Sequence, residues 1–136
     1  MLDAVASADV PVLVIGGSAA LHTPDGSGRL LIDDPDYVPV AFQRIARASL
    51  EQLHVCQTHA TARWTYLSPP ADFSRGTRTG RYRRGGTTLL IDEHGKAAIS
   101  AADLAIAAVD ELEEPGGEAQ FTVAAPSKSQ PVPRSR

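Results

Sequence analysis

The sequence is poor in the residue types that form disulfides and large aromatic cores. Only one of its 136 residues is a cysteine, Cys56, which excludes a disulfide within the chain and a zinc site built from several cysteines. Aromatic residues make up 5% of the chain, so the core must consist mainly of Leu, Val, Ile and Ala. Because Cys56 lies on the apolar face of a predicted helix, we expect it to be a small buried hydrophobe.

Membrane and export signals are also missing from the sequence. No apolar run approaches the roughly 20 residues that a membrane-spanning helix needs. The first residues have no basic flank, and their apolar stretch is too short for a secretory signal. By default, these absences favour a cytoplasmic protein that does not enter a membrane.

The charge balance is nearly even. The chain has 16 acidic and 13 basic residues and a formal net charge of −3, which argues against general nucleic-acid binding. With 43% hydrophobic residues, its composition is that of a single globular domain. We expect this domain to span residues 1–125. The tail 126–136 is rich in proline, serine and basic residues, so we expect it to be disordered.

Common cofactor and metal motifs do not occur. The sequence has neither the Gly-x-Gly-x-x-Gly fingerprint of dinucleotide-binding proteins nor a Walker A loop. His54 and His59 are five positions apart and diverge on a helix. Asp33, Asp34 and Asp36 lack the loop length of a calcium site, which favours an interpretation as turn residues. The sequence therefore predicts no metal site.

The hydrophobic pattern predicts alternating strands and helices. Val10–Ile15 is a continuous apolar run followed by two glycines, which is typical of a buried strand in a parallel sheet. Trp64–Ser68 predicts a second strand, ended by two prolines. Ser100 is expected to cap a helix, with Asp103 completing a shortened capping box. Further predicted elements are helices at 2–8 and 40–60, an extended piece at 30–32, a loop at 73–86, a hairpin joining 87–91 to 97–99, and a strand at 120–123. This order predicts an α/β fold.

Two of these helices have predicted buried faces. Apolar spacings of three and four residues define both faces. The face of the helix at 40–60 consists of Phe42, Ile45, Ala46, Ser49, Leu53, Cys56 and Ala60. The face of the helix after Ser100 consists of Ala101, Leu104, Ala105, Ala108 and Leu112.

Several segments resemble one family, and they occur in the family's order. The segments are Leu13–Leu21, Trp64–Pro70, Arg78–Arg83, Ile99–Ala105 and Phe121–Val123. Together they resemble the atypical short-chain dehydrogenase/reductase-like NAD(P)-binding proteins, which include NADH-flavin reductase-like proteins and flavin/biliverdin reductases. The resemblance covers residues 1 to about 125, and it implies a Rossmann-like sheet with flanking helices.

The resemblance begins late in the family's chain. Family members start with a strand, a Gly-rich phosphate-binding turn and a helix, whereas this sequence matches from just before the family's fourth strand. About 90 residues, at roughly 30 for each βα unit, would be absent. We therefore expect a truncated, partial Rossmann-like sheet with an exposed edge strand that promotes homo-oligomers. A further departure is Ser18-Ala19-Ala20, where Ala-Gly-Ser is usual.

The resemblance also implies an activity, hydride transfer from NADH or NADPH to a flavin, a quinone or a similar small-molecule acceptor. No catalytic residue is assigned, and Tyr66 and Ser68 are the candidates. For Tyr66, the alternative is a core position beside Trp64, since a proton-donating tyrosine needs a lowered pKa and no lysine is placed locally to lower it. The implied cofactor-binding residues follow two strands and are Gly16, Gly17 and Ser18 after the first, and Ser68, Pro69 and Pro70 after the second.

An arginine-rich loop is the last candidate site. Arg78 and Arg81, together with Tyr82, are predicted to bind an acidic group of the substrate, such as a flavin phosphate or a carboxylate. A solvated basic loop is the alternative interpretation. RNA binding is a third, opposed by the net charge and by the scarcity of stacking aromatics. For the whole chain, the alternative to a reductase is a non-catalytic α/β domain that oligomerises or binds a partner. The five arginines of this loop are Arg75, Arg78, Arg81, Arg83 and Arg84.

Overall fold

Three helices and seven strands form the part of the chain that the computed structural model describes, residues 1–126 and the backbone of 134–135. The helices are α1 (Leu2–Ala8), α2 (Gln43–Thr58) and α3 (Ala101–Glu113). The strands are β1 (Val12–Ile15), β2 (Trp64–Ser68), β3 (Asp72–Ser74), β4 (Arg81–Gly85), β5 (Ala98–Ser100), β6 (Gln120–Ala124) and β7 (Arg134–Ser135). No helix in this described part is long and apolar enough to cross a membrane.

The main sheet has the strand order β1-β2-β6-β4-β7. Strands β1, β2 and β6 run parallel, because α2 returns the chain from β1 to β2 and α3 precedes β6. Strand β4 pairs antiparallel with β6, and β7 pairs antiparallel with β4. The chain is therefore a mixed α/β protein with a parallel sheet and flanking helices, which confirms the predicted fold class.

Helices α2 and α3 cover opposite faces of this sheet. Leu67 and Phe121 point to one face and pack with α3 residues such as Leu104. Tyr66 points to the other face and packs with Cys56 of α2. Successive strand residues alternate between the two faces, which explains how neighbours in β2 reach different helices. Cys56 is buried, as predicted.

The start of α3 confirms the predicted cap but changes the role of Asp103. The Ser100 hydroxyl accepts a hydrogen bond from the Asp103 backbone N–H at 3.1 Å. The Asp103 carboxylate accepts hydrogen bonds from the backbone N–H groups of Thr79 and Gly80, each at 3.0 Å. The side chain therefore ties the loop before β4 to the first turn of α3.

The buried faces of both long helices differ from the prediction. In α3, Leu104 and Ala108 are buried as expected, whereas Ala101, Ala105 and Leu112 are exposed. Ala107 and Glu111 are buried instead, each three positions after Leu104 or Ala108. The buried face is therefore rotated relative to the predicted face. In α2, the buried residues are Ala46, Leu53 and Cys56, while Phe42, just before the helix, and Ile45 are exposed.

The predicted hairpin between 87–91 and 97–99 is wrong. Strand β5 pairs with β3 in parallel, in a separate two-stranded sheet. Residues 87–91 form no strand, and the Leu89 backbone N–H donates to the His22 backbone carbonyl at 3.0 Å. The turn chemistry at 92–96 is present, since Asp92 accepts hydrogen bonds from the backbone N–H groups of His94 and Lys96 at 2.8 and 2.9 Å. A tight turn was thus recognised correctly, but its flanks pair elsewhere.

Other local predictions also change. The loop predicted at 73–86 contains β4 and part of β3, and the extended piece at 30–32 is a 3-10 turn over Leu31–Asp33. Leu31 and Ile32 are buried in that turn. They belong to a hydrophobic cluster that is separate from the two clusters beside the main sheet. Of the tail predicted to be disordered, residues 127–133 and 136 lie outside the described residues, and Arg134–Ser135 forms β7.

Candidate functional site

The carboxyl ends of β1 and β2 bring the two predicted cofactor-binding segments together. Ile15 is in register with Leu67, and the Gly16 backbone N–H donates to the Leu67 carbonyl at 2.9 Å. The segments 16–18 and 68–70 therefore leave the sheet side by side. In open α/β sheets, ligands bind in the crevice outside such strand ends.

A cavity of about 360 Å³ opens at this edge of the sheet. Gly17 and Ser18 line it from the end of β1, and Pro69 and Pro70 line it from the end of β2. Its size lies in the range of small-molecule pockets, which are mostly apolar with a few polar groups. The remaining lining residues come from the loop before α2, from α2 and from the segment after β2, and they are Ala19, Tyr37, Val38, Pro39, Phe42, Ile45, Ala46, Ser49, Ala71 and Phe73.

The two glycines after β1 are required by close packing. A Cβ atom on Gly16 would overlap the phenol ring of Tyr66. A Cβ atom on Gly17 would lie 2.6 Å from the Ser49 hydroxyl oxygen. The strand end therefore lies directly against β2 and α2, which leaves the Ser18 side of the turn facing the cavity.

Tyr66 connects three elements behind the cavity wall. Its side chain is fully buried, and its hydroxyl accepts a hydrogen bond from the Gly17 backbone N–H at 3.3 Å. The hydroxyl proton has two acceptors within reach, the Ser49 carbonyl at 3.2 Å and the Gln52 side-chain oxygen at 3.3 Å. Burial raises the pKa of the Tyr66 phenol. This placement suits a bridge between β1, β2 and α2 better than proton donation to a substrate.

Ser68 is also buried behind the wall, and it is absent from the described lining of the cavity. Its backbone carbonyl accepts a hydrogen bond from the Thr122 hydroxyl at 2.6 Å, which joins β2 to β6. Its hydroxyl accepts a longer hydrogen bond from the Gln120 side-chain amide, at 3.5 Å. Pro69 and Pro70 are also buried, but they belong to the described cavity lining, whereas Ser68 does not.

The predicted substrate-binding loop lies apart from this lining. Arg78 and Arg81 are exposed, and neither is among the described residues that line the cavity. Tyr82 is buried, and its hydroxyl donates to the Asp110 carboxylate at 2.7 Å. The structure therefore does not bring Tyr82 to the same surface as the two arginines.

Two of the five loop arginines instead stabilise the fold. Arg83 donates to the Ala125 carbonyl at 2.9 Å and to the Ile91 carbonyl at 3.1 Å. Arg84 pairs with Glu111 at 2.8 Å, and its guanidinium lies 3.8 Å from the centre of the Phe121 ring. Both arginines belong to β4, and these contacts to neighbouring parts of the fold give them a structural role.

The described residues contain scattered acidic and histidine side chains. Among them, no group of three or more His, Cys, Asp or Glu side chains is placed to hold a metal ion. The Asp34 carboxylate accepts a hydrogen bond from the Asp36 backbone N–H at 3.0 Å, which is the geometry of a turn residue.

The predicted site contains none of the aromatic wall of the cavity. Tyr37, Phe42 and Phe73 line it, yet none of them was a predicted site residue. One feature of the sequence could have indicated part of this wall. Phe42 and Ile45 lie at the start of the predicted apolar face of the helix at 40–60. They are 57% and 69% exposed, and both contribute to the cavity rather than to the core.

The strand order and crossovers define a Rossmann-like α/β fold, and solved structures share it. A provisionally assigned NADH-flavin reductase from Streptococcus pneumoniae is 33% identical, with a TM-score of 0.78 over 86% of this chain and 56% of its own. A provisionally assigned epimerase from Bacteroides thetaiotaomicron is 33% identical, with a TM-score of 0.76 over 85% of this chain and 53% of its own. A provisionally assigned exported protein from Burkholderia pseudomallei is 36% identical, with a TM-score of 0.80 over 90% of this chain and 59% of its own.

One curated protein is similar in sequence. The uncharacterized protein YwnB of Bacillus subtilis is 37% identical over 105 residues, which are 76% of this chain and 49% of YwnB. The chain thus spans about half the length of the relative it matches. No family model matches the sequence. Taken together, the similarities support a relationship to NAD(P)-binding proteins of the oxidoreductase type.

Proposed function

We propose that this chain forms the nicotinamide- and acceptor-facing part of an NAD(P)H-dependent reductase. The observation that carries the proposal is the cavity at the paired ends of β1 and β2, where Gly17, Ser18, Pro69 and Pro70 meet an apolar aromatic wall. The acceptor would be a flavin, a quinone or a similar planar molecule. The proposal includes a cytoplasmic location, since such a reductase needs the NAD(P)H of the cell.

The cavity fits the ring end of a nicotinamide cofactor. Its volume of about 360 Å³ and its apolar lining suit a flat ring, and the hydroxyls of Ser18, Ser49 and Tyr37 offer a few polar contacts. The cofactor's pyrophosphate has no corresponding loop, because the sequence lacks a Gly-rich phosphate-binding fingerprint. We therefore infer that this chain holds the ring end and that the phosphate contacts come from another polypeptide segment.

The chemistry divides between the cofactor and the chain. When bound, the reduced nicotinamide ring supplies a hydride. The residues of this chain would orient the ring, with the backbone after β1, the prolines after β2, Phe42 and Phe73 in the lining of the cavity. Tyr66 fixes the backbone after β1 by accepting the Gly17 N–H. Because Tyr66 and Ser68 are buried, we infer that a proton for the acceptor comes from solvent rather than from either residue.

A cavity-filling variant tests this proposal. Ala71 is exposed and lines the cavity, so Ala71→Trp blocks it with little effect on the core. Ala60, two residues after the end of α2, is exposed and absent from the described lining, so Ala60→Trp is the matched control. We expect millimolar NADPH or NADH to raise the melting temperature of the unmodified chain and of Ala60→Trp, but not of Ala71→Trp.

The size of the effect follows from mass action. Ligand at ten times its dissociation constant stabilises the folded state by about 1.4 kcal/mol. For a domain of this length, that corresponds to a rise of roughly 4–7 °C in melting temperature. Equal shifts in Ala71→Trp and Ala60→Trp would show that the cofactor binds elsewhere. No shift in the unmodified chain would contradict the proposal for the chain alone.

A non-catalytic α/β domain is the second candidate function. The burial of Tyr66 and Ser68 favours it, because no side chain assigned as a catalytic candidate reaches the cavity. Mixing the chain with NADPH and either FMN or menadione separates the two functions. Oxidation of NADPH that Ala71→Trp abolishes supports the reductase. Ligand binding without oxidation supports the non-catalytic domain.

A further inference from the structure

Four large hydrophobic side chains are exposed where the cavity at the ends of β1 and β2 opens to solvent. Val40 and Phe42 belong to the 3-10 turn before α2, Ile45 to the first turn of α2, and Phe73 to β3. They are 84%, 57%, 69% and 44% exposed, in that order. Three of them line the cavity, and Val40 lies between the lining residues Pro39 and Phe42. We call these four side chains the apolar rim.

The apolar rim does not contribute to the core. None of its side chains belongs to a hydrophobic cluster in the described part of the chain. Large hydrophobic side chains that are grouped on one exposed surface mark a site of interaction. Because Phe42, Ile45 and Phe73 belong to both the rim and the cavity, the molecule that occupies the cavity is the natural partner of the rim.

The lining of the cavity carries no charge. None of its described residues is an aspartate, glutamate, lysine, arginine or histidine. Phe42, Ile45 and Ser49 share one side of α2 because they are three and four positions apart. Arg44 and Arg47 are exposed and are absent from the described lining. A charged group of a ligand would therefore lose hydration in this cavity without gaining an ion pair, which is unfavourable.

A neighbouring cavity differs in charge. Its volume is about 350 Å³, it shares Tyr37 and Ala71 with the first cavity, and its lining includes Asp72 and Lys96. The charge of Lys96 interacts with the carboxylate of Asp92, which also accepts the Lys96 backbone N–H at 2.9 Å. Of the two described linings, only this second one offers a cation to an acceptor that carries a phosphate.

We propose that the acceptor of this site is a neutral planar molecule with an apolar tail, such as an alkylated quinone, and that its tail lies on the apolar rim. The ring occupies the uncharged cavity, and the tail contacts Val40 and Ile45, the two most exposed side chains of the rim. This inference rests on the proposed reductase function and narrows its acceptor. It departs from the sequence expectation that Arg78 and Arg81 bind an acidic group of the substrate.

The reaction balances with solvent as the second source of protons. The quinone gains a hydride, which is two electrons and one proton, from the reduced nicotinamide, and it gains one further proton from water. The products are the hydroquinone and the oxidised cofactor. Because the quinone and the hydroquinone are both neutral, an uncharged lining suits the substrate and the product alike.

Binding of oxidised acceptors without any cofactor is the first test. The dissociation constant of the full chain is measured by titration calorimetry for menadione and for analogues with an added alkyl tail of increasing length. We expect the dissociation constant to fall about two- to fourfold for each methylene that the rim buries. Riboflavin and FMN share one ring system and differ by a phosphate, and we expect FMN to bind no more tightly than riboflavin.

Ile45→Asn tests the rim without removing a core contact, because Ile45 is exposed and belongs to no described hydrophobic cluster. Val109→Asn is the matched control, since Val109 is a half-exposed β-branched residue of α3 that is absent from the described lining. We expect Ile45→Asn to raise the dissociation constant of a long-tailed quinone about fivefold or more, and Val109→Asn to change it by less than about twofold. The effect of Ile45→Asn on menadione, which lacks the tail, should be smaller.

Steady-state oxidation of NADPH separates this inference from the proposed function. If both hold, Ile45→Asn raises the KM for the long-tailed quinone by a larger factor than it lowers kcat, because the tail contact is the same in the ground state and in the transition state. No oxidation with any acceptor would contradict the reductase proposal. Oxidation that does not depend on the tail would contradict only the present inference.

Four results would overturn the proposal. One is a dissociation constant that does not change with tail length. Another is tighter binding of FMN than of riboflavin, and loss of that preference in Lys96→Gln would assign the phosphate to the second cavity. A third is an equal effect of Ile45→Asn and Val109→Asn. The last is a dimer of the chain alone, seen by sedimentation, that Ile45→Asn dissociates, which would assign the rim to a second copy.

Discussion

Replacing Tyr66 with phenylalanine removes one oxygen from the bridge behind the cavity and leaves the buried ring in place. The lost hydroxyl accepts from the Gly17 N–H at 3.3 Å and has acceptors on α2 at 3.2 and 3.3 Å. An unsatisfied buried donor costs about 1–3 kcal/mol. Because Gly17, whose N–H loses its acceptor, is only partly buried, we expect the free energy of unfolding to fall by about 1–2 kcal/mol.

The assay is thermal and urea unfolding of three proteins followed by circular dichroism. The variants are Tyr66→Phe and, as control, Tyr37→Phe, whose hydroxyl belongs to a half-buried residue lining the cavity. A loss of 1–2 kcal/mol should lower the melting temperature by roughly 3–10 °C. The control should change it by less than about 2 °C, the usual range for substitutions away from such bridges.

The same pair of variants distinguishes the bridge from a catalytic acid. If Tyr66 donates a proton to substrate, Tyr66→Phe should abolish NADPH oxidation while leaving stability close to that of the control. If it is a bridge, stability falls and residual activity keeps the pH dependence of the unmodified protein. A melting temperature equal to that of Tyr37→Phe would refute the bridging role.

Two further predictions concern residues that position the site. Gly16→Ala places a Cβ atom on the Tyr66 phenol, so we expect a loss of stability of about 1–3 kcal/mol, measurable by urea unfolding, and no loss would show that the strand end can shift. Burial opposes ionisation of Asp103, but hydrogen bonds from Thr79 and Gly80 outweigh it and lower its pKa. The stability that ionised Asp103 contributes is therefore complete above its ordinary pKa of about 4 and is lost as pH falls through the lower folded value. The stability difference between the unmodified chain and Asp103→Asn should shrink on acidification below pH 4, and a difference independent of pH would contradict this.

The central part of the fold could be predicted from local pattern. The apolar run before Gly16 and the segment Trp64–Ser68 were both predicted as strands, and they form neighbouring parallel strands. This succeeded because a buried parallel strand has a strong signal, a continuous apolar run ended by glycine or proline. The Ser100 cap is equally local, since it depends on residues three positions apart.

The predictions that were wrong concern segments in which tertiary contacts outweigh the local sequence pattern. The sequence at 87–99 has hairpin chemistry, yet β5 pairs with β3, more than twenty positions away. Strand β4 was missed because its arginines indicate a loop, whereas Arg84 is neutralised by Glu111. The aromatic wall of the cavity was missed because Tyr37, Phe42 and Phe73 come from three separate segments. No periodicity within one segment can show that they meet.

Amide chemical-shift mapping during titration with NADPH tests the central claim most directly. The claim is that the cavity between the ends of β1 and β2 holds the nicotinamide ring. It predicts that the largest shifts occur at Gly17, Ser18 and Ala71, which line the cavity and have backbone N–H groups. Shifts concentrated at Arg78 and Arg81, or no saturable shifts at millimolar NADPH, would contradict it.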